Sequence, residues 1–188
     1  MTSTPEHIAL PDLDVVLRRH VTADIDRLYA AIEENRDHLR AHMPWADEGR
    51  HGFEAFLTDA IAQWDRGADR NYAIVDQAGE YLGGCGLHDR IGPDGREIGY
   101  WLAATATGRG IATAAARALT AAALAIDGVT RVEIRCDEAN LRSAAVPRRL
   151  GYRLDRIEVD HVSAPGDLGR SMIWVCAPGR TAPPVARH

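Results

Sequence analysis

The stretch from Glu97 to Ile126, EIGYWLAATATGRGIATAAARALTAAALAI, constrains the fold more than any other part of the chain. From Glu97 to Ala103 the residue types alternate. Ile98, Tyr100 and Leu102 fall on one side, Glu97, Gly99 and Trp101 on the other, which is the period of a strand. Thr105 to Gly110 reads as a loop. Ile111, Ala115, Leu119, Ala122 and Ile126 then recur every three or four residues, the period of an amphipathic helix. Strand, glycine loop and helix in this order leave free N–H groups at the helix start. They stand at the positive end of the helix dipole, beside Gly108 and Gly110, which have no β-carbon. Such a junction suits phosphate oxygens, and it equally suits a tight turn that binds nothing.

Two common phosphate-binding loops are excluded. A dinucleotide fingerprint needs a third glycine, and Gly108-Arg109-Gly110-Ile111-Ala112-Thr113 has none. A Walker loop needs Gly-Lys-Ser/Thr, and the chain contains no lysine; all its 22 basic residues are arginine.

The 188 residues suit a single domain with its own core. A net charge of −5 argues against a general nucleic-acid binder. The three cysteines, Cys85, Cys136 and Cys176, fit neither a zinc spacing nor a closed disulfide framework, and they read as buried thiols in a reducing compartment. No apolar run is long enough to span a bilayer and no signal region opens the chain, so the expected location is cytoplasmic.

Residues 1–12 read as a flexible tail, 13–176 as the domain, and 177–188 as a second tail. Within the domain, Asp14 to His20 reads as a strand, and Thr22 or Asp24 as the cap of a helix with Ile25, Leu28, Ala31 and Ile32 inward. Phe53 to Trp64 reads as a second helix, with Phe53, Phe56, Leu57, Ala60, Ile61 and Trp64 on one stripe. Asn71–Val75 and Tyr81–His88 read as strands joined at Asp76–Gly79. Gly83, Gly84 and Gly86 in the second suggest a bulge or something packed close to the backbone. Gly92-Pro93-Asp94-Gly95 is a turn into the central strand. Arg131–Asp137 alternates cleanly, and a strand–helix–strand order implies a parallel pair. A short helix, Leu141–Leu150, contains Pro147, which fits best near a helix start, and ends at Gly151. Arg153–Val162 and Ser171–Cys176 read as a closing hairpin.

The IGYWL strand, the GRGIAT loop, the NRDHLRAHMPW segment and the CDEANLRSAAVPRRLGY segment together resemble the GCN5-related N-acetyltransferases (GNAT), in their RimJ/RimL branch. The resemblance covers about Val15 to Cys176. It implies an α/β (α+β) fold: a mixed, mostly antiparallel twisted sheet of six to seven strands flanked by helices. The central parallel strands would splay after a bulge to form the acyl-CoA cleft. It also implies acetyl-CoA as co-substrate, no metal and an amine acceptor; with the charge and apolar content noted above, no nucleic-acid or membrane partner is expected, and a monomer or homodimer is.

The residue roles follow from that resemblance. Gly108, Arg109, Gly110, Ile111, Ala112 and Thr113 would hold the CoA diphosphate. The family's usual Gln or Arg at the start of this loop is Thr107 here, which leaves the backbone cradle without that side-chain contact. Trp101, Leu102 and Ala103 would pair with the pantetheine arm, and a backbone N–H among them would face the thioester oxygen. Asn140 would bind pantetheine, and Ser143 would protonate the leaving thiolate; by residue type alone both are also ordinary helix-start residues. Glu97 is the first candidate for the base, acting through water, or else a solvent-exposed strand-end carboxylate. His88, Asp89 and His161 are further candidates, and Tyr152 is a tyrosine that either protonates the thiolate or packs in the core. Asn35 and Trp45 would line the acceptor site while also closing the core. The expected reaction is direct attack of an amine on the thioester, with a ribosomal-protein N-terminus as first acceptor. A small-molecule amine (an antibiotic, a polyamine or an aminoacyl nucleotide) and a non-catalytic acyl-CoA-binding module are the alternatives. An α-amine, with a pKa near ~8, is partly neutral at pH 7 and asks little of a base.

Overall fold

The structure is a computed structural model that describes residues 4–177. Eight strands form one sheet: β1 (His7–Leu10), β2 (Val15–Arg19), β3 (Arg70–Asp76), β4 (Tyr81–His88), β5 (Gly95–Leu102), β6 (Arg131–Asp137), β7 (Arg153–Val159) and β8 (Arg170–Cys176). Their order is β1-β2-β3-β4-β5-β6-β8-β7. Every neighbouring pair is antiparallel except β5–β6, which is parallel, with helix α3 (Ile111–Leu124) as its crossover. The remaining helices are α1 (Ile25–Leu39), α2 (Arg50–Asp65) and α4 (Leu141–Arg149).

The period-two alternation of the strands sorts the core into two layers. On β3, Tyr72 and Ile74 point to the layer that holds Ile111, Ala115 and Leu119 of α3 and Ala144 of α4. Ala73 and Val75 point to the layer that holds Leu28 and Ile32 of α1 with Phe53 and Leu57 of α2. Ala115, Ala116 and Ala123 of α3 are fully buried, and their small side chains let the helix lie close to the sheet. Each large aliphatic side chain buried here contributes about 1.5–3 kcal/mol.

Several sequence expectations are corrected. The N-terminal segment read as a tail contributes β1, whose four residues pair with β2 from His7↔Arg18 to Leu10↔Val15 and raise the strand count to eight. Asp24 stands at the N-cap position of α1, but its side chain makes no cap bond to the helix. Its carboxylate turns back to take both guanidinium nitrogens of Arg18, at 2.6 and 2.8 Å, and Val21 N–H at 2.8 Å. Phe56 is exposed, whereas Phe53, Leu57, Ala60 and Trp64 are buried. Pro147 lies in the second half of α4 rather than at its start. Cys85 is buried, but Cys136 and Cys176 are only partly so; all three thiols are free. From residue 178 onward the expected C-terminal tail lies outside the described residues.

Candidate functional site

The site begins where the sheet parts. β5 and β6 pair from Gly95↔Arg131 to Ile98↔Ile134 and no further, although β5 runs on to Leu102 and β6 to Asp137. The β4–β5 register continues unshifted from His88↔Glu97 to Gly83↔Leu102, so the two strands part without the expected bulge beside them. Ala103 N–H donates to Leu82 C=O at 2.9 Å, and alternation therefore turns the amides of Tyr100 and Leu102 toward the opening. Of the three residues expected to pair with a ligand there, Leu102 presents its amide, while those of Trp101 and Ala103 face β4.

On the α3/α4 side the opening leads into a groove of about 1470 Å³. Gly108, Gly110, Ile111, Ala112 and Thr113 line it, as do Trp101, Leu102, Asn140 and Ser143. Gly108 (φ 75°) and Gly110 (φ 82°) are both left-handed, which glycine adopts without strain. Gly110 is the N-cap of α3 and has no side chain to satisfy the helix's first N–H groups, and no acid stands in the first turn. In dipole and in donors the start of α3 therefore suits an anion. Arg109 is exposed and does not line the groove. Arg117, Arg142 and Arg149 do, and sequence reasoning missed them because arginines on a helix surface look alike until the fold turns them to one side. Thr107 lines the groove with its hydroxyl spent on Ala104 C=O at 2.7 Å.

On the α1/α2 side the opening leads into a cavity of about 540 Å³. The strand registers explain its shape. Asn71, Gly86 and Gly99 are cross-strand partners on β3, β4 and β5, so two of the three positions in this row carry no side chain. One row along stand Gly84 and Trp101; on the other side stand His88 and Glu97. The result is a trough with a glycine floor that runs across the strands to the point where β5 and β6 separate. Trp45, which meets Trp101 edge-on at 5.8 Å and Phe53 at 6.2 Å, closes the aromatic side. Above the trough the α1–α2 loop and the β7–β8 loop are tied together: Gly166 N–H donates to Ala41 C=O at 2.7 Å, and His42 Nδ1 lies 2.8 Å from Asp167 Oδ1.

Groove and cavity share His42, Met43, Tyr100, Trp101, Asn140 and Ser143. Asn140 is the N-cap of α4, its Oδ1 accepting Ser143 N–H at 3.1 Å, so the capping reading holds and the same residue lines the opening. Pro147 has no N–H to give the carbonyl four residues back, that of Ser143. The Tyr100 hydroxyl donates to that carbonyl at 3.0 Å and lies 3.1 Å from Ser143 Oγ. Burial pushes the Tyr100 phenol well above its ordinary value, and its contact with Ser143 only partly offsets this. Tyr100, read in the sequence as an inward strand residue, is thus the tyrosine beside Ser143. Tyr152 is buried and bonded to Thr120 Oγ1 at 2.6 Å, away from the opening. Cys136 also faces the opening, and burial pushes its thiol up to about 11.

The remaining candidates separate. Glu97 is buried rather than exposed, and both its oxygens are engaged: Oε1 takes Arg90, and Oε2 lies 3.4 Å from Arg135 Nε. Asn35 does not line the cavity. Its Oδ1 accepts Ala104 N–H at 2.8 Å and its Nδ2 donates to Ala31 C=O at 2.8 Å, so it ties α1 to the end of β5. Asp89 pairs with Arg96 at 3.2 Å outside the cavity, and His161 is an exposed rim residue paired with Asp160. His88 lies on the trough wall, its Nδ1 2.7 Å from Asp69 Oδ2.

Comparison with known proteins places this arrangement. A family profile described as "Acetyltransferase (GNAT) domain" matches residues 14–153. The Bacillus subtilis (strain 168) protein named "Putative ribosomal N-acetyltransferase YdaF" is 32% identical over 143 residues, covering 73% of this chain and 77% of that protein. Among solved structures, RimL, a ribosomal L7/L12 alpha-N-protein acetyltransferase in complex with coenzyme A, superposes with a TM-score of 0.82 at 23% identity, covering 92% of this chain and 98% of RimL. The microcin C7 self-immunity acetyltransferase MccE, in complex with acetyl-CoA and AMP, gives 0.83 at 21%, covering 93% and 98%. At these identities the two structures speak to the fold.

Proposed function

The chain belongs to the GNAT acetyltransferase family, and from that premise we propose that it transfers the acetyl group of acetyl-CoA to the α-amine of a protein N-terminus of ribosomal-protein type. The observation that carries the reading is the parting of β5 and β6, with a phosphate-suited groove on one side, a glycine-floored trough on the other, and Tyr100, Asn140 and Ser143 shared between them.

The first-turn amides of α3 would hold the CoA diphosphate, with Arg117, Arg142 and Arg149 around the groove. The pantetheine arm would lie along the freed edge of β5, its thioester oxygen facing the amides of Tyr100 and Leu102. The acceptor amine would arrive over Gly86 and Gly99. Its lone pair forms the C–N bond to the carbonyl carbon, the C–S bond breaks toward sulfur, and the thiolate takes a proton through Ser143 Oγ, which Tyr100 orients. Glu97, between Arg90 and Arg135, would fix the charged wall of the trough. The three free thiols support a reducing, cytoplasmic site of action.

One observation favours a second reading, a small-molecule amine. The cavity is lined by Trp45, Phe53 and Trp101 and is bridged by the Ala41–Gly166 tie, a form suited to a compact acceptor. Mass spectrometry of peptides with free N-terminal Ala or Ser, alongside polyamines and aminoglycosides, after incubation with acetyl-CoA tests both. The expected result is one acetyl group on the peptide α-amine; modification of the small amines alone would replace the first reading with the second.

A further inference from the structure

We propose that His88, oriented by Asp69, is the general base that takes the proton from the acceptor ammonium, with Asp69 as its positioning residue. The proposal rests on the acetyl-transfer reading above. Four features of the structure carry it.

The first is placement. His88 projects from β4 on the face that carries Gly84 and Gly86, in the row beside the trough floor. A Cβ added to Gly86 would sit 2.6 Å from His88 Nε2, and one added to Gly99 would sit 3.5 Å from it. The ring therefore overhangs the two glycines over which the amine must pass to reach the end of the β5–β6 pairing. The second feature is orientation. Asp69 Oδ2 lies 2.7 Å from Nδ1, and Asp69 Oδ1 accepts Asp89 N–H at 2.8 Å, so the carboxylate is itself anchored. A carboxylate on Nδ1 fixes the proton there and leaves the Nε2 lone pair facing the cavity. Among the described residues Nε2 has no hydrogen-bond partner. The third feature is electrostatic: the His88 ring first of all, with Asp89 N–H, outweighs burial and holds the Asp69 carboxyl below the usual range, so it stays an acceptor. The fourth is the state of the rival: Glu97 Oε1 accepts from Arg90 and Oε2 lies 3.4 Å from Arg135 Nε, so the two cations hold it as a charged carboxylate.

The charged groups around His88 are Asp69 before β3, Glu97 opposite on β5, the Asp89–Arg96 pair and Arg90 after β4, and Arg135 on β6. Glu48 from the α1–α2 connection and Asp160 and His161 from the β7–β8 loop line the same cavity. The step balances. His88 Nε2 receives one proton from R–NH₃⁺, the amine attacks the thioester carbon, and the nitrogen's second proton goes to the departing sulfur. The products are the amide and CoA–SH, with one proton passed from His88 to water.

Two measurements test this. In full-length protein, ¹⁵N NMR of the imidazole nitrogens should show His88 as the Nδ1–H tautomer, and Asp69→Asn should change that signature. A His88 ring protonated on Nε2 alone at pH 8 overturns the proposal whatever the acceptor proves to be. In the transfer assay with the peptide Ser-Ala-Ala-Ala-amide, His88→Gln should lower kcat/KM about 100- to 1000-fold at pH 7. The deficit should narrow at pH 9, where the amine, with a pKa near ~8, is already neutral. Asp69→Asn should lose about 10-fold, and CoA affinity by calorimetry should be unchanged in both. A deficit of equal size at both pH values, or a pH-dependent deficit in Glu97→Gln and none in His88→Gln, overturns the proposal. Wild-type protein that binds CoA but acetylates no peptide would fail the peptide reading instead, and the tautomer measurement would still decide the role of His88.

Discussion

Replacing Tyr100 by phenylalanine should destabilise the protein by an amount that depends on the residue at position 147. Pro147 cannot donate to the Ser143 carbonyl, and the Tyr100 hydroxyl does so instead at 3.0 Å. Removing that hydroxyl leaves a partly buried carbonyl without its donor. A buried orphan costs about 1–3 kcal/mol, and the lower end, about 1 kcal/mol, applies where a neighbouring cavity admits some water. Pro147→Ala restores an N–H aimed at the same carbonyl. The gain should be nearly cancelled by roughly 0.4–1 kcal/mol of unfolded-state entropy that proline had removed. In the Pro147→Ala background, Tyr100→Phe should therefore cost only a few tenths, a coupling of about 1 kcal/mol between two residues of different elements. Urea denaturation of the four proteins, with unchanged m-values, measures it. If Tyr100→Phe costs the same in both backgrounds to within about 0.3 kcal/mol, the hydroxyl does not substitute for the missing helix bond.

Three other outcomes are expected. Gly86→Ala places a methyl 2.6 Å from His88 Nε2 and 2.8 Å from Asn71 Oδ1, and should cut kcat/KM for the acceptor by roughly 100-fold with CoA affinity intact; equal losses in both would contradict the trough. Ala112→Asp puts a negative charge in the first turn of α3. It should weaken CoA binding at least about 10-fold in calorimetry while leaving or slightly raising Tm, since an acid there favours the helix; tighter binding would refute the anion site. Asp24→Asn should cost about 3 kcal/mol by leaving Arg18 without its buried partner. Burial pushes the Asp24 carboxyl up, but the His20 ring, the Arg18 fork and Val21 N–H outweigh it and hold it well below its ordinary value. Its contribution is thus full above about pH 4 and fades only gradually as pH falls toward its depressed folded-state value, so the gap between the urea curves of wild type and variant should begin to narrow below pH 4 and still be open in large part at pH 3.

What the sequence disclosed, and what it concealed, divides along the range of the interactions. The strand–loop–helix from Glu97 to Ile126 was readable because its periods and glycines are local, and β5 and α3 lie where they point. Trp45 and Ser143 both line the cavity. β1 was missed because four residues with a single buried side chain give no period; β2 supplies the partner that makes them a strand. Asp24 looks like a cap in sequence, yet Arg18 competes for its carboxylate and wins with two charged hydrogen bonds. Pro147 seemed to demand a helix start because its carbonyl partner, Tyr100, lies in another element. The same distance hid the pairing of His88, at the end of β4, with Asp69, 19 residues earlier and just before β3, and let Glu97 look like a free acid.

The tie between Ala41 and Gly166 gives the molecule a sense of direction. For the acetyl transfer proposed above, that bridge beside the trough would favour an acceptor that is slender where it enters, small molecule or chain end, over one laid sideways along the sheet. On that reading a lysine-like amine in the middle of a folded segment would be disfavoured relative to a free chain terminus or a slender polyamine. Selectivity for ends over side chains would then arise from how a substrate threads, before any individual residue of it is recognised.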